Sequence, residues 1–163
     1  MRLRKGDVVL PPAAWWIGRG PARVRTLLGS CVSVTAWHAR TCTGAICHCM
    51  LPASESADHT GDPRYVDAAL RLMTESLKGR GIAAEDCEWK LFGGGRMLRT
   101  EAPGLPDIGQ RNVAAAETLL ETMGCPPVAR DVGGANHREI VFDLRTGSVW
   151  SRRAPPVPLG GRP

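Results

Sequence analysis

An α+β fold in a single domain follows from three features of this 163-residue chain. Apolar runs of strand length recur from Val8 to Val149, two stretches repeat their apolar residues at helical spacing, and 19 glycines with 13 prolines cut the chain into short elements. The composition, 43% hydrophobic and 23% charged, is that of an ordinary globular chain long enough to bury one core. The expected architecture is a mixed β-sandwich or sheet flanked by two main helices. Residues 1–153 are assigned to this domain, and 154–163, rich in Pro and Gly, to a tail expected to be disordered.

Val8-Val9-Leu10 reads as a short strand stopped by Pro11-Pro12. Trp15-Trp16 is expected to pack on the body of the domain, with an exposed contact patch as the alternative. A second strand runs from Val24 to Leu28. Residues 31–37 and 44–51 read as a hairpin joined by the polar turn 38–43. Asp62 is placed as the cap, and Pro63 in the first turn, of a helix that carries Tyr65, Ala69, Leu72, Met73, Ser76 and Leu77 at helical spacing and ends before Gly79. Glu88 to Phe92 is a strand, Gly93 to Met97 a tight glycine-rich turn, and 99–109 a loop. The second helix runs from Gln110 to Met123, with Val113, Ala116, Leu119, Leu120 and Met123 on one side, and stops at Gly124. Val128 to Arg130 is a short strand and 131–136 a turn. Ile140–Asp143 and Ser148–Arg152 form a last hairpin around Thr146-Gly147.

The net charge of +5 is modest, and the basic residues are not interleaved with aromatics as a single-strand nucleic-acid site requires. No apolar run has the length of a membrane span, and the basic N-terminus lacks the apolar segment of a signal peptide. The cytoplasm is therefore the expected location, with no nucleic-acid partner and no membrane insertion. There the six cysteines are expected to be reduced thiols.

The chemistry concentrates at Cys31 and His48. If Trp37 faces Gly44 across the hairpin, Cys31 faces Met50 and His48 is its diagonal neighbour on the same face, because side chains alternate with period 2. That face carries Cys31, Ser33, Thr35, Trp37, Ile46, His48 and Met50. The opposite face is small and apolar, with Cys47 and Cys49 among its members. A slip of one residue would separate the pair. A thiol beside an imidazole is expected to ionise at neutral pH and act as a nucleophile. Gly29 and Ser30 precede it, so the backbone there can turn sharply and approach a ligand, and the N–H groups around Ser30 and Cys31 are available to an oxyanion. Cys42, Cys47, His48 and Cys49 form a dense Cys/His group, yet Cys47 and Cys49 point away from His48 along the strand and no second cysteine pair follows at zinc-finger spacing. Gly93-Gly94-Gly95 lacks the Lys-Ser/Thr of a phosphate loop. Neither a metal nor a cofactor is expected.

Five segments together resemble the CheD family of chemoreceptor glutamine deamidases: Thr26-Leu-Leu-Gly-Ser-Cys31-Val-Ser-Val, His48-Cys-Met-Leu-Pro52, Phe92-Gly-Gly-Gly-Arg-Met97, Ile108-Gly-Gln-Arg-Asn112 and Asp131-Val-Gly-Gly134. The resemblance spans about residues 6 to 150. It implies hydrolysis of glutamine side-chain amides in methyl-accepting chemotaxis receptors, giving glutamate and ammonia. It implies a fold similar to the catalytic domain of the deamidating cytotoxic necrotising factors. It also implies Cys31 as nucleophile, His48 as general base and a threonine upstream of the cysteine as third member. Thr26 is the nearest match; Arg25, one position earlier, faces the other side of the strand. A CheC-type phosphatase is an implied partner. Two other readings stay open at this level: a non-enzymatic adaptor binding receptors and a CheC-type phosphatase, and a small metal-binding or redox protein using its thiols.

Overall fold

The computed structural model describes residues 6–54, 57–97 and 107–154. Nine strands and two α-helices follow one another as β1 (Asp7–Val9), β2 (Ala14–Arg19), β3 (Arg23–Leu28), β4 (Val32–His38), β5 (Thr43–His48), α1 (Val66–Lys78), β6 (Glu88–Gly93), α2 (Ile108–Thr122), β7 (Ala129–Val132), β8 (His137–Asp143) and β9 (Val149–Ala154). They build two mixed sheets, one ordered β1-β3-β8-β9 and the other β2-β5-β4-β6-β7. The α+β reading with two main helices holds.

Burial shows how the layers stack. Val24 and Leu28 of β3, Ile46, Phe92, Ile140 and Phe142 form one core between the sheets. Val32, Val34, Ala36, Cys47, Cys49 and Leu91 form a second core with Ala69, Met73, Leu77, Ala116 and Leu120 of the helices. The five-stranded sheet is therefore covered on both faces, by the other sheet and by α1 and α2. This is why β4 and β5 are buried along nearly their whole length. Among the described residues no helix is long and apolar enough to cross a membrane.

Several boundaries differ from those expected. β2 was not anticipated, because Pro11-Pro12 and Gly18 interrupt any strand pattern; its ladder with β5 supplies the order, setting Trp15 opposite Cys47 and Trp16 opposite Ile46. The two indoles pack against the two different cores, so the packing reading of Trp15-Trp16 holds. Asp62 does not cap α1. Its carboxylate instead accepts from Arg64 N–H at 2.9 Å, closing a turn through Pro63, and the helix starts after Tyr65, which makes no side-chain cap bond. α2 begins earlier than expected, with Asp107 as the cap accepting from Gln110 N–H at 2.8 Å. Of the expected loop 99–109, residues 99–106 lie outside the described residues; of the expected tail 154–163, Ala154 ends β9 instead and 155–163 lie outside the described residues. Asp131 and Val132 belong to β7, which pairs in parallel with β6, and only Gly133 and Gly134 of that segment adopt positive φ.

Candidate active site

The hairpin register is the expected one. Trp37 pairs with Gly44, Thr35 with Ile46, and a further bridge joins Val32 to Cys49. Continuing that register sets Cys31 opposite Met50 and His48 on the diagonal from Cys31. Both look toward the four-stranded sheet: Cys31 packs against the core between the sheets, and His48 meets β3. Cys47 and Cys49 lie in the helix-side core, on the other face.

Thr26 meets this imidazole. Thr26 Oγ1 lies 2.7 Å from His48 Nδ1 and also donates to the Leu10 carbonyl at 2.8 Å. A threonine hydroxyl has one proton. With that proton on Leu10, Thr26 can only accept from the ring, so Nδ1 carries the hydrogen and Nε2 keeps its lone pair. One threonine and one carbonyl thus fix the tautomer and the orientation of the imidazole. Arg25 points to the outer face of β3, where it pairs with Asp7 and Glu139. Of the two candidates for a third member, only Thr26 touches His48.

His48 is 2% exposed, and burial pulls its pKa down to about 4. It is neutral at pH 7. Burial pushes the half-buried Cys31 thiol up, against the lowering pull of its own backbone N–H. The expectation of a thiolate in the resting site is therefore corrected: desolvation disfavours both ions, and the pair rests as neutral thiol and neutral imidazole. Such a base takes the thiol proton as the sulfur attacks rather than beforehand.

The backbone leading into Cys31 is held from below. Gly95 N–H donates to the Gly29 carbonyl and Gly94 N–H to the Cys31 carbonyl, each at 2.8 Å. Asn112 Nδ2 donates to the Ser30 carbonyl at 3.1 Å and to the Met50 carbonyl at 3.0 Å. Among the described residues no backbone carbonyl takes the N–H of Ser30 or Cys31. The glycine turn is required by contact. Gly93 has φ +106°, and a Cβ there would stand 2.2 Å from the Cys31 carbonyl oxygen. A Cβ on Gly109 would stand 2.7 Å from the carbonyls of Gly94 and Gly95, so the first turn of α2 rests directly on the same loop. Read from sequence as a tight turn, Gly93-Gly94-Gly95 is also the seat of the Cys31 segment.

A buried cation fixes that seat. Arg138, 1% exposed, makes a two-pronged bond to Asp131, at 2.9 and 3.0 Å, and donates to the Gly93 and Gly133 carbonyls, each at 3.0 Å. Burial pushes the Asp131 carboxyl up, but the bond from Ser151 and the Arg138 charge outweigh it and hold it below the usual range. Sequence reading gave no role to Arg138 or Asn112. Asn112 stands in a quoted segment, but its signal, two carbonyls needing one donor, is visible only in three dimensions.

Of the thiols in the Cys/His group, Cys42 sits at the hairpin turn with φ +49° while Cys47 and Cys49 are in the core. Among the described residues no three His, Cys, Asp or Glu side chains converge as metal ligands.

Comparison with known proteins adds the following. A family model described as CheD chemotactic sensory transduction matches residues 50–153. A protein of Albidiferax ferrireducens named "Probable chemoreceptor glutamine deamidase CheD 2" is 41% identical over 154 residues, covering 93% of this chain and 89% of its own length. "Probable chemoreceptor glutamine deamidase CheD" proteins of Pseudomonas fluorescens and Nitratidesulfovibrio vulgaris are each 40% identical, covering 91% and 85% of this chain and 85% and 74% of their own lengths. The family-model match begins after His48. The first relative's 93% coverage leaves too few residues outside the match to omit 26–48.

Proposed function

This chain belongs to the CheD family, and on that premise we propose that it hydrolyses the side-chain amides of selected glutamines in methyl-accepting chemotaxis receptors, giving glutamate and ammonia. The observation that carries the reading is the hydrogen-bond chain Leu10 carbonyl–Thr26–His48, which leaves the Nε2 lone pair free on the face that Cys31 shares.

In this reading Cys31 is the nucleophile. Its sulfur attacks the glutamine amide carbon while Nε2 of His48 accepts the thiol proton. The developing oxyanion is met by the N–H groups of Ser30 and Cys31, in the segment that begins at Gly29. Collapse breaks the C–N bond; His48 returns the proton to nitrogen, ammonia leaves, and a thioester remains. His48 then takes a proton from water, whose oxygen attacks the thioester, and returns that proton to the sulfur as glutamate departs. Thr26 holds the productive tautomer and orientation throughout. No step calls for a metal or cofactor.

We extend the reading to residues 1–153 as the deamidase domain, to the cytoplasm as its location and to a CheC-type phosphatase as a second partner. The face-to-face mixed sheets with helices on one side fit the likeness to the catalytic domain of the cytotoxic necrotising factors. Ammonia release from a purified receptor cytoplasmic fragment tests the activity. The wild type is expected to release it and Cys31→Ala to release none; a silent wild type refutes the proposal.

A further inference from the structure

The peptide groups entering Cys31 are each held by the carbonyl. In a trans peptide the N–H points away from the carbonyl of the same plane, and no described peptide bond is cis. Holding the Gly29 carbonyl therefore aims the Ser30 N–H, and holding the Ser30 carbonyl aims the Cys31 N–H. The first hold is a backbone N–H, that of Gly95. The second is a side chain, Asn112.

Asn112 is suited to this in a way its neighbours are not. It is fully buried on α2, and its two amide hydrogens go to Ser30 and to Met50, the residue opposite Cys31. Both of those atoms are acceptors, so neither can satisfy the other, and a two-proton donor between them is what the hairpin end lacks. The carboxamide comes at a cost. Its Oδ1 is buried with no partner among the described residues, so the desolvation of that oxygen goes uncompensated. An apolar residue would avoid that orphan but would leave the Ser30 peptide free to rotate.

We propose that Asn112 is a positioning residue of the hydrolysis: by holding the Ser30 carbonyl it aims the Cys31 N–H at the oxyanion. It acts through the peptide and does not touch substrate. The inference rests on Cys31 being the nucleophile. It separates two reactions of the same sulfur. Amide hydrolysis builds negative charge on oxygen and needs the aimed N–H. Alkylation by iodoacetamide displaces iodide from a saturated carbon while the thiol proton passes to His48; no oxyanion forms there.

The experiment uses the full chain with Asn112→Asp and Asn112→Ala, beside wild type and Cys31→Ala. Ammonia release from the receptor cytoplasmic fragment gives kcat and KM, and mass mapping gives the rate of Cys31 alkylation by iodoacetamide at one pH. In both variants kcat is expected to fall about 100-fold, as for loss of one oxyanion donor. KM and the alkylation rate are expected to stay within about threefold. The proposal is overturned if a folded variant keeps kcat within about threefold, or if alkylation falls in step with kcat, which marks a merely structural role. Should the aspartate variant not fold, Asn112→Ala decides; failure of both to fold makes the residue structural and also overturns it. A wild type that releases no ammonia defeats the parent reading, whereas active wild type with active Asn112 variants defeats only this one.

Discussion

Replacing Thr26 with valine removes one oxygen and keeps the β-branch that suits β3. Two hydrogen bonds go with that oxygen, the 2.7 Å contact with His48 Nδ1 and the 2.8 Å bond to the Leu10 carbonyl. The His48 Nδ1–H and the Leu10 carbonyl are both left in buried surroundings, His48 at 2% and Leu10 at 5% exposure. Each orphan costs about 1–3 kcal/mol, so Thr26→Val is expected to lose about 2–6 kcal/mol of stability. At about 2–4 °C per kcal/mol for a domain of this size, Tm falls by roughly 4–24 °C. The effect on rate has a separate origin. With nothing to accept from Nδ1, the ring proton is free to reside on Nε2, where it blocks the base. The orphaned Nδ1–H penalises the productive tautomer, and a reversal of the bias to about 1.4–3 kcal/mol against it corresponds to a fall in kcat of about 10- to 100-fold. KM stays near the wild-type value, since Thr26 faces the imidazole and not the substrate. Thr26→Ser keeps the hydroxyl and is expected to recover most of the rate. The assay is steady-state ammonia release, with Tm measured on the same samples. A folded Thr26→Val enzyme with kcat within about twofold of wild type would refute the tautomer argument.

The resting protonation states predict the acid side of the pH profile. With His48 held at about 4 by burial, its neutral form persists well below the ordinary imidazole range, so kcat/KM should hold to about pH 4–5 before falling; a midpoint near 6.5 would contradict the neutral pair. The same burial bears on stability. Between pH 6.5 and about 4 the unfolded chain binds a proton that folded His48 refuses, so stability falls as pH drops through that window, by about 3 kcal/mol in total; urea titrations across the window measure it. Gly93→Ala drives a Cβ to 2.2 Å from the Cys31 carbonyl oxygen at φ +106° and should destabilise by more than about 2 kcal/mol while changing the Cys31 alkylation rate. Gly133→Ala, at φ +72° with no atom within 4 Å, should cost only about 1–2 kcal/mol and leave Cys31 alkylation unchanged. Equal effects of the two glycine substitutions would show that the glycine turn does not seat Cys31.

What was legible in the chain was what is local or strictly periodic. Period 2 and a short turn bring Cys31 and His48 to one face, and the observed Trp37–Gly44 pairing agrees. The apolar spacing of α1 named part of its buried side, Ala69, Met73 and Leu77, and missed Val66, Ala68 and Leu70. The rest depends on partners far along the chain. In Arg23-Val-Arg-Thr-Leu-Leu28 period 2 groups Thr26 with the inward Val24 and Leu28, but nothing local says that Thr26 meets His48 or that Arg25 pairs outside with Asp7 and with Glu139 on β8. Gly109 reads as a reason to start a helix later, yet its missing Cβ is what lets α2 settle on Gly94 and Gly95. Ionisation of the thiol was misjudged because adjacency to an imidazole is visible in sequence, whereas the desolvation that keeps both groups neutral comes from the second sheet closing over them.

The central claim, that Cys31 converts receptor glutamine to glutamate, is tested most directly by the mass of the substrate. A receptor cytoplasmic fragment incubated with wild-type protein should gain one dalton at each modified glutamine, and the same fragment with Cys31→Ala should gain nothing. Deamidation by Cys31→Ala at the wild-type rate, or an unchanged mass with the wild type, would contradict it.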